Sequence, residues 1–325
     1  MSVYNGQAFL KQAIESILNQ TFTDFEFIII NDGSKDNSLN IIQHYTDSRI
    51  VLLNNETNLG LIASLNNGIA IAKGSLIARM DADDIALPDR LFNQHQYFQN
   101  NPNCKIIGGN YSILSKNKII NFNHNFTNGQ LKTILLFSTC FMHPLVMFKK
   151  CSDTLYNENF KHVEDYELWT KLATKYELGF CKQKLIIYRS HNQQISFLNN
   201  EIQLQKSAQI RQNYLNALGF KFSNEQLEIH NLIGNNNFIK NINTLIQIEN
   251  WLQVLINQNE KLDVINRIEF NSIINKFWID SCGNTNLGFK AYQLFKKSKN
   301  GKLNTISFNT ELKLICKCII RKFKK

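Results

Sequence analysis

The chain contains no run of about 18 or more apolar residues, which excludes a membrane-crossing helix of ordinary length. Its first residues, Met1-Ser2-Val3-Tyr4-Asn5-Gly6, lack the basic segment followed by an apolar one that marks a secretory signal. The expectation is a protein that stays in the cytoplasm. Cysteine is scarce in the ways that matter: seven residues, an odd number, with no CxxC spacing. That argues against both a disulfide framework and a zinc site, and Cys316 and Cys318 stand too close together for a usual zinc pair. No GxSxG, Walker A or GxGxxG segment occurs, and no HxxxH pair. Only three prolines are present, and one of them, Pro88, falls where a first helical turn tolerates it.

What is present is a large apolar fraction, 43%, enough to build a sizeable core over 325 residues. The net charge of +10 is unevenly placed. Residues 288–325 hold eleven Lys/Arg and one acid, Glu311, whereas residues 1–287 carry equal numbers of bases and acids. The basic character is therefore a C-terminal property. A basic tail meets anionic lipid or nucleic acid. The neutral body and the lack of a recognisable nucleic-acid module argue against nucleic acid as the partner.

The first half alternates between strand and helix patterns. Phe9, Ala13, Ile14, Ile17 and Leu18 recur at helical spacing. Phe25–Ile30 is a short apolar run of the kind found in a buried parallel strand, and Asn31-Asp32-Gly33-Ser34 ends it with turn residues. Helices over 38–45 and 61–72, strands over 50–53 and 76–80, and a helix over 89–100 follow. This alternation predicts a parallel, doubly wound α/β sheet. After about residue 200 the pattern turns helical, with helices expected over 202–218, 236–258, 262–281 and 310–323. The expected division is an α/β domain over 1–215 and a helical C-terminal region over 216–325.

Ligands of open parallel sheets bind outside the carboxyl ends of the strands. Two acidic turns fall there: Asp32, and Asp81-Ala82-Asp83-Asp84. Three carboxylates in four residues repel one another, and hard oxygen ligands suit Mg²⁺ or Mn²⁺ shared with substrate phosphates. The bland alternative is a solvated turn with a helix cap ahead of Pro88. A third cluster, Glu164 and Asp165, lies at the start of a helix whose apolar face is Leu168, Trp169 and Leu172. Acids there serve as dipole partners, or one of them is a general base.

Taken in order, Val3-Tyr4-Asn5-Gly6, Asn31-Asp32-Gly33-Ser34, Asn58-Leu59-Gly60, Asp81-Ala82-Asp83-Asp84, Pro88-Asp89-Arg90-Leu91 and Glu164-Asp165-Tyr166-Glu167-Leu168-Trp169 closely resemble family 2 glycosyltransferases of the GT-A fold. The resemblance covers roughly residues 1–196. It implies a Rossmann-like, mostly parallel sheet with a helical appendage, and an inverting transfer of a sugar from a nucleotide-sugar, a UDP-sugar by preference, to an acceptor hydroxyl. The acceptor would be a glycan or lipid-linked glycan of bacterial surface-polysaccharide assembly. By the same resemblance Tyr4 lies in the nucleotide pocket, Asp32 meets the base ring, Asp81 the ribose or metal region, and Arg90 supports the donor side. Asp83, with Asp84 beside it, holds Mn²⁺ or Mg²⁺. Asp165 is the catalytic base with Glu164 as alternative, and His143 and His191 line the site. A catalytically silent nucleotide-sugar-binding protein of the same fold is the competing reading. Members of the family carry further apolar residues ahead of the Val-Tyr-Asn segment, so the first strand is expected to be short here. Residues 310–325 combine Leu312, Leu314, Ile315, Ile319, Ile320 and Phe323 with six Lys/Arg. They would lie on an anionic membrane surface or dock as a helix on the appendage.

Overall fold

The computed structural model describes residues 1–116, 118–191, 200–298 and 308–322, with 323–325 of the basic tail outside them. It divides into two compact units. One comprises residues 1–128 with 139–206, the other 129–138 with 207–325.

In the first unit, β1 (Ser2–Val3), β2 (Phe27–Asp32) and β3 (Ile50–Asn55) form a wholly parallel sheet in the order β1-β2-β3. Parallel neighbours of this kind need long crossover connections, here built from helices. They are α1 (Leu10–Leu18) and α2 (Ser38–Gln43), followed by α3 (Leu61–Ile71). Leu10, Ala13, Ile14 and Ile17 form the buried stripe of α1 and pack with Val3, Phe27 and Ile29.

The second sheet is mixed. It runs β4 (Leu76–Ala78), β8 (Met147–Lys149), β6 (Cys104–Ser115), β9 (Glu177–Arg189), β5 (Ile85–Ala86), with β7 (Lys118–Phe122) hairpinned onto β6. Only β6 and β9 pair in parallel; the other pairs are antiparallel. A single parallel bridge from Ser2 to Asp81 brings the end of β4 alongside β1. A cavity of about 760 Å³ lies between β2 and β4, lined by Phe27, Ile28, Ile30, Leu76 and Ile77 among others. Asp32, Asp81, Asp83, Asp84, Glu164 and Asp165 are not among its lining residues, whereas Arg79, Arg90 and Tyr156 are. Helix α4 (Arg90–Asn100) follows Pro88, α5 (Asn128–Ile134) lies almost wholly in the second unit, and α6 (Glu164–Ala173) precedes β9 in the first.

The second unit is helical: α7 (Asn200–Ala217), α8 (Asn224–Gly234), α9 (Ile242–Leu262), α10 (Arg267–Gly283), α11 (Phe289–Lys297) and α12 (Phe308–Lys322). The helix expected over 236–258 starts later, at Ile242, and α8 and α11 were not expected. Helix starts explain the difference. Ser223 accepts from the Gln226 N–H and Gln226 answers in a capping box, Asn241 accepts from Thr244 N–H, and Asn266 accepts from the N–H groups of Ile268 and Glu269. Asn236 between α8 and α9 takes a left-handed conformation (φ 51°), which breaks the helical run that hydropathy alone would continue. Trp251, Leu252, Phe270 and Trp278 are fully or almost fully buried. Segment Gly129–Ser138 belongs to this unit: Arg211 Nε donates to Phe137 O (2.9 Å) and His230 Nε2 to Leu136 O (2.7 Å).

Candidate active site

Loops at the carboxyl ends of the first strands are tied together. Asn5 N–H donates to Ser34 Oγ (3.0 Å), Gly6 N–H to Ser38 Oγ (2.9 Å) and Gln7 N–H to Asp36 Oδ2 (3.0 Å). Asn5 itself sits at φ 52°, a conformation few non-glycine residues hold without support. Tyr4 projects from this loop, 52% exposed. Asp32 is 2% exposed, and its carboxylate accepts from Leu59 N–H (2.9 Å), Gly60 N–H (2.9 Å) and Asn55 Nδ2 (2.8 Å). Both of its oxygens are thus engaged in holding the 55–60 loop. Gly33 follows at φ 67°, and a Cβ there would stand 2.5 Å from the Thr57 carbonyl carbon, so only glycine lets the two loops meet.

Asp81, Asp83 and Asp84 each offer a carboxylate oxygen within 4.8 Å of the others. Asp84 is fully buried. Its Oδ1 accepts from Arg189 N–H (2.9 Å), and its Oδ2 is buried without a hydrogen-bond partner. Burial first, and then the charges of Asp81 and Asp83, push the Asp84 carboxyl up to about 8. Burial and Asp81 push Asp83 upward too, against the opposing pull of His191. His191 Nε2 lies 2.9 Å from Asp83 Oδ2. Arg189 Nη1 donates to Asp83 O (2.6 Å), fixing the turn from the end of β9. The residues present fit a divalent cation: an orphaned buried carboxylate oxygen inside a crowd of like charges is the site a hard cation relieves.

Arg90 is 0% exposed. It donates to Gln94 Oε1 (3.1 Å), Met80 Sδ (3.2 Å) and Arg79 O (2.5 Å), and burial drops it to about 9. Arg90, expected to support the donor side, is wholly buried and braces the backbone leading into the acidic turn from within.

Glu164 and Asp165 form the first turn of α6, where the helix dipole favours negative charge. Leu168, Trp169 and Leu172 behind them are fully buried. Gly108 on β6 leaves room for the Phe141 ring, which meets Trp169 edge-on, and this seats the helix. Asp165 Oδ1 accepts from Tyr166 N–H (2.7 Å). Burial, with Glu164 next, pushes the Asp165 carboxyl up to about 7. His143 opens a short 3-10 turn (His143–Leu145) and shares a hydrogen bond of 2.9 Å with Tyr156 OH; burial pushes its imidazole well below the ordinary range. Its ring also meets Trp169 edge-on.

The sequence reading passed over Arg79 and Tyr156. Arg79 pairs with Asp81, and its charge acts on Asp84, Glu164, Asp165 and Tyr156. The signal was available: a lone cation at an inward position of an apolar strand, two residues ahead of the acidic turn.

Clustered acids at strand ends, set on a parallel α/β half with a mixed second sheet, are the arrangement expected of a GT-A-type fold. The family model "Glycosyl transferase family 2" matches residues 1–156. An O-antigen biosynthesis glycosyltransferase of Escherichia coli, WbnJ, is 35% identical over 209 residues, covering 59% of this chain and 78% of that protein. Among solved structures, S. aureus TarS residues 1–349 in complex with UDP-GlcNAc matches with a TM-score of 0.54 at 14% identity, over 86% of this chain and 88% of that one. The mannosyltransferase PcManGT of Pyrobaculum calidifontis, in complex with GDP-Man and Mn²⁺, matches with a TM-score of 0.53 at 12% identity, over 100% and 86%. The chain belongs to glycosyltransferase family 2 and is a glycosyltransferase enzyme.

Proposed function

We propose that this enzyme transfers a sugar, with inversion, from a UDP-sugar to a hydroxyl of a glycan or lipid-linked glycan in bacterial surface-polysaccharide synthesis. The observation that carries the reading is the juxtaposition of two acid clusters in one unit: three clustered aspartates after β4, and Asp165 with Glu164 on the first turn of α6. The relatives favour it, since an O-antigen enzyme and a UDP-GlcNAc complex are among them.

The exposed Tyr4 ring offers a stacking face for the base. Asp32 shapes the base-side loop through its bonds to Leu59 and Gly60. Asp83 and Asp84, with Asp81 and His191 beside them, would hold Mn²⁺ or Mg²⁺. When bound, that ion neutralises the charge developing on the departing diphosphate. Asp165 takes the proton from the acceptor hydroxyl during attack, and a carboxyl held near neutrality is suited to that task at physiological pH. His143, kept neutral by burial, braces the α6 end through Tyr156 and Trp169. A single base facing the leaving group makes direct displacement, and so inversion, the expected stereochemistry.

The test is a donor screen with UDP-, GDP- and dTDP-sugars, in Mn²⁺ or EDTA, reading released nucleoside diphosphate. Metal-dependent release from a UDP-sugar, lost in Asp83→Ala, supports the reading. Nucleotide binding without turnover from any donor would point to the silent alternative. A product linkage with retained configuration would sink the inverting mechanism.

A further inference from the structure

Arg79 follows β4 and shares a strand face with Asp81, two residues on. It is 6% exposed. Its backbone is pinned on both sides: its N–H donates to Val146 O (3.0 Å), and its carbonyl accepts from Arg90 Nη2 (2.5 Å). The guanidinium makes an ion pair with Asp81, and its Nε is buried with no hydrogen-bond partner. A buried cation with one half-exposed carboxylate as partner is costly to keep. An anchor for the acidic turn needs no more than that pair, and a neutral hydrogen-bonding side chain would serve as well. Arg79 does more. Its charge acts on Asp81 and Asp84 of the one cluster, and on Glu164, Asp165, Tyr156 and His143 on the other side. For both Glu164 and Asp165 it is the cation that opposes their burial.

We propose that Arg79 is a positioning residue for glycosyl transfer, a buried counter-charge that holds Asp81 in the donor-side cluster and steadies the base-side acids of α6. The inference rests on the transfer reading above. The groups facing Asp165 are Glu164 on its own helix, Arg79 beyond β4, and Tyr156 and Cys140 from the 139–156 segment. Arg79 is the cation of that set. Removing it leaves only backbone N–H groups, that of Tyr166 first, to favour the ionised Asp165 against burial and Glu164, so the base becomes active at higher pH. Removing it also frees Asp81, so the donor is bound less well.

The experiment uses the full chain with the donor that the screen identifies, comparing wild type, Arg79→Met and Arg79→Lys by kcat, donor KM and the pH dependence of kcat, with circular dichroism to confirm folding. For Arg79→Met the expected result is a rise in donor KM and a shift of the acidic limb of the profile upward by about one pH unit, which lowers kcat about tenfold below the wild-type limb. Arg79→Lys, which keeps the charge and loses the planar fork, is expected to restore the limb while KM stays raised. Folded Arg79→Met with KM, kcat and limb within twofold of wild type overturns the inference. Should Arg79→Met not fold, Arg79→Lys decides alone: a limb at the wild-type position with raised KM supports it, and a displaced limb overturns it. A wild-type chain that releases nucleotide from no donor counts against the transfer reading itself, whereas an active wild type with indifferent Arg79 variants counts against this inference only.

Discussion

At the scale of single residues, the site is governed by burial acting on carboxylates. Asp165 is held at about 7, above its ordinary 3.8, chiefly by burial. A base must be ionised to accept a proton, so kcat is expected to climb with pH through about 7 and level off above it. Asp165→Asn should lower kcat by about 10²- to 10⁴-fold and abolish that limb. A variant that keeps the limb would move the base role to Glu164. Burial also separates residues with surface to offer a ligand from those sealed behind them. Arg90 reads in the sequence as part of the donor motif, yet it is sealed under Met80 and Arg79. Arg90→Met should therefore cost stability, about 2 kcal/mol, by orphaning Gln94 Oε1 and the Arg79 carbonyl. A chemical denaturation midpoint equal to wild type would show that these bonds contribute nothing.

At the scale of elements, the proposed donor side is two loops locked together. Asp32 holds the 55–60 loop, and Gly33 allows the two to approach. Gly33→Ala forces a left-handed φ on a residue with a Cβ and drives that Cβ into Thr57. A loss of at least about 1 kcal/mol is expected, with weaker donor binding by calorimetry. Unchanged donor affinity would mean that this junction does not shape the nucleotide site. In the helical unit, Asn266 caps α10 with two backbone bonds. Asn266→Ala should cost about 1 kcal/mol in thermal unfolding. The helix α12 shows which part of the tail is spent. Leu314 and Cys318 are buried, and Glu311 accepts from Tyr292 OH (2.6 Å) and Lys296 Nζ (3.0 Å) of α11. Leu312 and Ile319, near 50% exposed, remain on the outer face with Lys313 and Lys317. That face is the basis for proposing contact with anionic lipid. Flotation with phosphatidylserine vesicles should fall when Leu312 and Ile319 are both changed to Ser. Equal flotation would leave the tail a packing element only.

At the scale of the whole molecule, no helix among the described residues is long and apolar enough to cross a membrane. The clustered acids link stability to pH. Asp84 near 8 and Asp165 near 7 hold protons in the native state that the unfolded chain, with carboxyls near 3.8, has already released. A raised carboxylate pKa of this kind makes the folded state the better proton binder. In EDTA, thermal stability is therefore expected to fall as pH rises between about 4 and 8. Mn²⁺ at pH 8 should restore it, because an ion bound by the native acids replaces those protons. An EDTA melting temperature that rises over this range, or one indifferent to Mn²⁺ at pH 8, would contradict the arrangement.

The order of motifs along the chain was enough to read the family, the strand-end acids and the carboxylate pair on α6. Those features are local: a strand, a turn and a first helical turn are set by neighbouring residues, and their chemistry travels with them. The mixed second sheet was not legible, because antiparallel pairing of β4 with β8 joins segments some 70 residues apart and leaves no mark in local periodicity. Helix α8 escaped for a related reason, since its start rests on a side-chain capping box and a left-handed asparagine follows its end, while α11 starts after Gly288 at φ 62° with no side-chain cap. Burial was the other quantity hidden from the sequence. It sealed Arg90 among its braces, engaged both Asp32 oxygens with the 55–60 loop, brought His191 to Asp83, and paired Arg79 with Asp81. Desolvation and charge proximity depend on the three-dimensional neighbourhood, so only the tertiary structure decides which of these like-typed residues act on a ligand and which act on each other.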